Sequence, residues 1–215
     1  MFSLTGKARI DVVVLSGRLL VGCFLFCTLK ISGGKTMKIP KHQNKLVEDY
    51  DKLLRLTNAL KELGNKIVVT IGSWDMLHIG HLRYLINARG RGDILIVGVD
   101  SDRAIKLYKG PLRPVVPQEE RAEMLGYQSC VDYVTYLDDV DDKGAWQYAL
   151  IEKIKPDVFV AVEDSYGEDQ RSRIRECCAE LVVLPRQAEN TSTSRMIQKA
   201  VKGHLEQMML LVDAR

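Results

Sequence analysis

Apolar and polar positions along this chain follow two periods. Over residues 44–63, Leu46, Tyr50, Leu53, Leu54, Leu60 and Leu63 recur at helical spacing on one side, and Gly64-Asn65 ends the run, which predicts an amphipathic helix. Beyond it short apolar runs take over. Residues 66–71, 93–99, 133–137, 157–162 and 181–184 are rich in Val, Ile and Leu and read as strands. Between them the pattern predicts helices over 79–89, 102–107, 118–127, 144–153, 167–178 and 194–201, with a proline-rich loop at 109–117. Strands alternating with helices predict an α/β fold, a Rossmann-like, doubly wound parallel five-stranded sheet with helices on both faces. Ligands of such sheets lie beyond the strand carboxyl ends, where strand order reverses. The predicted domain covers residues 66–202, behind a leading helical segment at 37–65 and before a C-terminal tail at 203–215.

The chemistry concentrates where the first strand meets the first sheet helix. There the chain reads Gly72-Ser73-Trp74-Asp75-Met76-Leu77-His78-Ile79-Gly80-His81. A helix N-terminus carries unpaired N–H groups and partial positive charge, so it suits a phosphate. His78 and His81 add donors at the same spot, and Gly80 lets phosphate oxygens approach the backbone. Backbone N–H groups near Ser73 and Trp74 add to the set, the Trp74 indole being assigned to packing. Asp75 has three open roles: forming the turn, orienting a histidine, or helping to hold Mg²⁺. Lys109 opens a Gly-Pro loop suited to closing over phosphates. Thr191, Ser192, Thr193 and Ser194 cap the last helix and present hydroxyl and N–H groups to an anion. Cys177 and Cys178 are read as core or helix-face thiols rather than nucleophiles, and 138–142 as a solvated acidic loop. A zinc role for the histidines is set aside, because no H-E-x-x-H is present, and the G-x-G-x-x-G dinucleotide fingerprint is absent.

Composition adds three constraints. The net charge of +3 is uneven: Lys7, Arg9, Arg18, Lys30 and Lys35 against Asp11 put +4 in residues 1–36, so the remainder is nearly neutral and no nucleic-acid partner is implied. The 5 cysteines form no paired framework, which fits a reducing, cytoplasmic setting. The apolar stretch 10–29 is interrupted by Asp11 and Arg18, which argues against a membrane span. Leu20-Val21-Gly22-Cys23 looks like a lipoprotein cleavage box, but Arg18 and the apolar residues after it argue against one. Gly34-Lys35-Thr36 would need its P-loop glycine at Leu29. The expectation is an N-terminal extension, with Met37 as the alternative start.

These residues resemble the cytidylyltransferase-like nucleotidylyltransferases. The family's G-x-(F/W)-D-x-x-H-x-G-H element is met by Gly72, Trp74, Asp75, His78, Gly80 and His81. Further matches are Val97-Gly98-Val99-Asp100-Ser101-Asp102, then Lys109-Gly110-Pro111-Leu112-Arg113-Pro114-Val115-Val116-Pro117 with Arg121, and last Pro185-Arg186 with Thr191-Ser192-Thr193-Ser194. Within the family the chain looks most like the adenylyltransferase half of heptose-phosphate enzymes, and shares parts with glycerol-3-phosphate cytidylyltransferases. It departs at Val162-Glu163-Asp164-Ser165-Tyr166, where the heptose enzymes have Gly-Gly-Asp, and by one extra residue between Arg186 and Ser192.

The resemblance implies transfer of a nucleoside monophosphate from ATP or CTP to a phosphorylated small molecule, with Mg²⁺ and release of pyrophosphate, by a homodimer. It implies His78, His81, Lys109 and Arg121 as catalytic groups. Gly72, Ser73, Trp74, Asp75, Gly80, Asp100, Arg186 and 191–194 would bind nucleotide. Lys106, Arg113, Glu163 and Asp164 would bind the acceptor, and no residue is firmly assigned to a metal. Competing readings are a nucleotide-binding regulator without turnover and a membrane-associated enzyme using its N-terminal segment. The class I aminoacyl-tRNA synthetases, which also spell His-Ile-Gly-His, are set aside for want of K-M-S-K-S.

Overall fold

The structure, a computed structural model, describes residues 14–15, 18–19 and 45–213. The expectations for the rest of 1–36 and for Met37 lie outside the described residues. The chain divides into two units, Met1–Ile39 and Pro40–Arg215. In the first, β1 (Val14–Leu15) pairs antiparallel with β2 (Arg18–Leu19).

The second unit begins with α1 (Tyr50–Glu62), capped by Asp49, whose side chain accepts from Asp51 N at 2.8 Å. The helix predicted over 44–63 is therefore shorter. Its first residues run alongside a strand instead: Leu46 bridges Val134, Val47 N donates to Val134 O at 2.9 Å, and Lys45 Nζ donates to the carbonyls of Gln128 and Val131. Val47 is buried by this pairing, while Leu63, placed on the apolar side by its spacing, is 80% exposed. A sheet edge that needs covering has overridden helical spacing there.

The chain then alternates. It runs β3 (Ile67–Gly72), α2 (Ile79–Arg89), β4 (Ile94–Asp100), α3 (Asp102–Lys109), α4 (Gln118–Gly126), β5 (Tyr133–Leu137), α5 (Ala149–Ile154), β6 (Val158–Val162), α6 (Glu168–Cys177), β7 (Glu180–Leu184) and α7 (Thr193–Asp213). The five strands are parallel, in order β5-β4-β3-β6-β7. Successive strand residues face opposite sides. Val68, Leu95, Val97, Val99 and Val160 pack with Leu85, Ala88, Ala122 and Leu125 on one face. Ile67, Val69, Ile96, Phe159 and Ala161 pack with Leu53, Leu150, Ile151 and Ile174 on the other. Two covered faces make the doubly wound α/β architecture, and each fully buried Leu or Ile contributes roughly 1.5–3 kcal/mol. Cys177 sits in this core, as expected.

Two elements differ from the pattern. The helix predicted over 144–153 begins only at Ala149, after Tyr148 at φ 62°. The acidic run before it is folded back rather than simply solvated: Asp139 Oδ2 accepts from Trp146 Nε1 and Ala149 N, and Asp141 Oδ1 accepts from Lys143 N and Ala145 N. With Gly144 at φ 82°, these bonds close a turn in which Val140 pairs with Trp146. The expected tail at 203–215 is also a correction, since α7 continues through Gly203 to Asp213. Its Val201, Leu205, Met208 and Met209 keep helical spacing and are exposed. No helix among the described residues is long and apolar enough to cross a membrane.

Candidate functional site

β3 lies where strand order reverses, with β4 on one side and β6 on the other. The loop after it carries Trp74 at φ 50° and Met76 at φ 49°, two non-glycine residues in the left-handed region. Neighbouring contacts hold this conformation. Trp74 is 5% exposed, and its Nε1 donates to Gly98 O at 2.8 Å, so its indole packs beneath the loop. A Cβ at Gly98 would lie 2.5 Å from Leu137 Cδ1 and 2.9 Å from Ile71 Cγ1, so a side chain there would push both aside. Asp75 is fully buried. Its carboxylate accepts from Arg113 Nε at 2.7 Å and from Val115 N and Val116 N at 3.0 Å. Burial works to raise the Asp75 pKa, but the backbone donors and Arg113 outweigh it and the net shift is downward. Of the three roles open to Asp75, the geometry gives none to the histidines or to a metal. The side chain pins the 109–117 loop onto the loop after β3.

His78 caps α2 and His81 is its third residue. Gly80 N donates to His78 Nδ1 at 3.1 Å, and His78 N donates to His81 Nδ1 at 3.4 Å. An Nδ1 that accepts carries no proton, so in the neutral ring the proton is on Nε2. The rings stack with centroids 3.9 Å apart, and both residues line a cavity of about 1060 Å³. Burial lowers the pKa of both. That of His81 falls to about 3, with the charges of His78 and Lys109 adding to the effect. Both imidazoles are thus neutral donors through Nε2 at ordinary pH. A Cβ at Gly80 would lie 2.9 Å from His78 Cε1 and 3.0 Å from Ala188 Cβ, so a side chain there would displace the ring. Tyr84 fixes the helix behind them, donating to Val160 O at 2.7 Å and bonding to the Thr70 hydroxyl.

Cations converge on the same cavity. Lys109 is exposed as a residue, yet its ammonium turns inward and donates to Ser73 Oγ at 2.7 Å. Burial and then the nearby Arg113 lower its pKa. Arg113 and Arg186 line the cavity, the latter ion-paired with Asp164. The start of α7 closes the wall with Thr191, Ser192, Thr193 and Ser194. Thr193 Oγ1 donates to Asp75 O at 2.7 Å, tying that helix to the loop after β3. Gly72 ends β3 beside the Trp74 ring. Asp100 ends β4 and accepts from Tyr108 OH at 2.6 Å, and burial raises its pKa.

Besides Asp75, which is buried and off the cavity wall, three expected site residues are placed elsewhere. Arg121 is buried and does not line the cavity. Its guanidinium donates to Val116 O, Ser73 O, Asp100 O and Asp102 Oδ1 at 2.5–2.9 Å, joining three loops from behind. Four of its five N–H donors are taken by protein and the side chain is buried, which makes it an anchor rather than a phosphate clamp. Lys106 is exposed on α3, outside the cavity lining. Glu163 is exposed and meets the site only through its bond from Arg186 N at 3.3 Å. The structure also brings in residues that the motifs do not include: Tyr108, Asp139, Trp146, Tyr148 and Tyr166 line the cavity. Trp146 and Tyr148 follow an acidic run in the sequence, which was the available signal, but their predicted helix hid it.

The described residues contain no group of three His, Cys, Asp or Glu side chains able to hold a metal ion. No such group is there to hold the Mg²⁺ implied by the resemblance.

The pattern of the family described as cytidylyltransferase-like matches residues 69–201. The bifunctional protein HldE of Geobacter sulfurreducens is 35% identical over 162 residues, covering 75% of this chain and 32% of that protein. The bifunctional protein HldE of Helicobacter pylori is 38% identical over 161 residues, covering 74% and 33%. The chain therefore spans about a third of the length of these relatives. Among solved structures, the lipopolysaccharide core biosynthesis protein from Thermoplasma volcanium is 24% identical, covering 57% of this chain and 98% of that one, with a TM-score of 0.49.

Proposed function

Because the chain belongs to the cytidylyltransferase-like family, we propose that it transfers a nucleoside monophosphate from ATP or CTP to a phosphorylated small molecule, a sugar or polyol phosphate, releasing pyrophosphate. The observation that carries this reading is the paired imidazoles at the N-terminus of α2. Each has Nδ1 held by a backbone N–H and its Nε2 proton available to the cavity that Lys109 and Arg113 also line.

In this reading the acceptor phosphate oxygen, already anionic near neutral pH, attacks the α-phosphorus in line. The bond from that phosphorus to the bridging oxygen breaks, and pyrophosphate leaves on the opposite side. No strong base is required, so the protein's part is positioning and charge stabilisation. His78 and His81 donate to phosphate oxygens without changing protonation state. Lys109 and Arg113 neutralise donor and acceptor phosphates, and Asp75 holds the loop that presents them. The hydroxyl and N–H groups at the start of α7 receive the far end of the triphosphate. Arg186 lies on the same side, paired with Asp164 until an anion competes for it.

The test is pyrophosphate release by the full chain with Mg²⁺, crossing ATP and CTP with heptose 1-phosphate, glycerol 3-phosphate, phosphoethanolamine and flavin mononucleotide. Release with one pair identifies donor and acceptor together. Nucleotide binding with silence across the panel would favour a binding protein. Silence without nucleotide binding would defeat the proposal.

A further inference from the structure

The loop that joins β7 to α7 is held in two different ways. Its backbone is tied down by neutral bonds and packing. Arg186 N donates to Glu163 Oε1 at 3.3 Å, Arg83 Nη1 donates to Gln187 O at 3.3 Å, and Asn87 Nδ2 donates to Gln187 Oε1 at 2.6 Å. Ala188 Cβ lies 3.0 Å from where Gly80 would carry a Cβ, so the loop rests against the N-terminus of α2. The Arg186 guanidinium is held by charge instead. Its Nε donates to Asp164 Oδ2 at 2.6 Å, and the pair is open to water, the side chains being 59% and 42% exposed. Among the described residues the Asp164 side chain has no other partner, and both residues line the cavity. Asp164 belongs to the stretch where the chain departs from the Gly-Gly-Asp of the heptose enzymes. The extra residue before Ser192 leaves Gln187, not Arg186, at the family's spacing, and Gln187 is turned to α2. Arg186 is therefore the guanidinium that this loop offers a nucleotide, and a carboxylate already holds it.

We propose that Asp164 competes with the nucleotide for Arg186: the guanidinium exchanges this carboxylate for the triphosphate, and Asp164 thereby holds nucleotide affinity below what Arg186 alone would give. This rests on the nucleotidyl-transfer reading and deepens it. Arg186 is two residues from Ala188, at most about 7 Å along the backbone. Phosphates bound by His78 and His81 at the N-terminus of α2 are thus within the reach of its side chain, and the pinned backbone has no need to move. The exchange is favourable because the two partners differ in charge. An exposed ion pair is weak, no more than about fivefold in an equilibrium constant. A triphosphate carries several negative charges and presents paired oxygens that match the guanidinium fork. Asp164 acts through Arg186 and is a positioning residue on the nucleotide side, in place of the acceptor-binding role that the resemblance implies.

The test is the affinity of the full chain for ATP and for CTP with Mg²⁺, measured by isothermal titration calorimetry. Asp164→Asn keeps the shape of the side chain and removes its charge. It should bind the preferred nucleotide about two- to fivefold more tightly than the parent, at an unchanged melting temperature. Asp164→Glu, which keeps the charge, should stay near the parent. Arg186→Ala should weaken binding about tenfold or more, and in that background Asp164→Asn should change nothing, since no guanidinium is left to compete for. In turnover, Asp164→Asn should lower the nucleotide KM and leave the acceptor KM where it was. Unchanged or weaker nucleotide binding by Asp164→Asn overturns the proposal. So does an Arg186→Ala protein that binds like the parent, or an equal gain from Asp164→Asn in the Arg186→Ala background, which would mean plain repulsion between Asp164 and the phosphates. A raised acceptor KM in Asp164→Asn would return Asp164 to the acceptor and overturn it too. Failure of the parent to bind either nucleotide sinks the nucleotidyl-transfer reading, and this one with it, whereas binding without these effects sinks only this one.

Discussion

A neutral histidine and a buried arginine mark the two ways in which single residues serve this site. His81 stands at the cavity wall with Nδ1 satisfied and Nε2 free to donate. His81→Ala removes that donor and one capping bond, so turnover should fall about 10²–10³-fold while circular dichroism shows the fold retained. Arg121 should behave in the opposite way. Its side chain is fully buried against Asp102, with further bonds to three carbonyl oxygens. Arg121→Ala leaves these acceptors unpaired and should cost roughly 3–5 kcal/mol of stability, read as a large drop in melting temperature. A variant that keeps its melting temperature and loses only substrate affinity would restore Arg121 to the phosphate-clamping role implied by the family motif.

At the scale of elements, the loop after β3, the 109–117 loop and the start of α7 are held together through Asp75. Its carboxylate takes Arg113, Val115 N and Val116 N, and its carbonyl takes Thr193 Oγ1. Asp75→Ala should lower stability by about 3 kcal/mol and release the loop that carries Lys109. Its kinetic signature should be a raised KM for both substrates together with a lower kcat. If Asp75 held a metal, added Mg²⁺ would recover activity in Asp75→Asn; rescue of that kind would count against the latch. The aromatic wall belongs to this scale too. Trp146 and Tyr148 face the cavity only because the turn built on Asp139 and Asp141 delays α5 to Ala149.

For the whole molecule the site's electrostatics link function to acid stability. The folded pKa of His81 is near 3, below the ordinary value of 6.5. Between those values the unfolded chain binds a proton that the folded chain does not. The resulting stability is complete above pH 6.5 and drains away as pH falls toward 3. His78, shifted in the same direction, adds to this. Asp100 and Asp139, whose pKa values are raised by burial, contribute in the opposite sense and favour the folded state as they take up protons. His81→Gln should therefore flatten the fall in melting temperature between pH 7 and pH 5. The pH-rate profile of the parent should show no titration of His81 from pH 6 to pH 8, since that ring stays neutral there.

Sequence alone determined the alternation of strand and helix, the place of the loop after β3 at the carboxyl end of its strand, and the pairing of histidines with a glycine between them. Those are properties of local period, helix termini and close backbone approach, and they need only near neighbours. Sequence could not tell which polar residues face the cavity and which face the protein, because that depends on partners far along the chain. Asp75 meets Val116, Arg121 meets Ser73, and Thr193 meets Asp75 across 41, 48 and 118 residues. The edge pairing of Leu46 with Val134 and the turn that exposes Trp146 were likewise settled by tertiary structure. In each case a backbone group or a buried carboxylate had to be satisfied, and that demand outweighed the local preference of the chain.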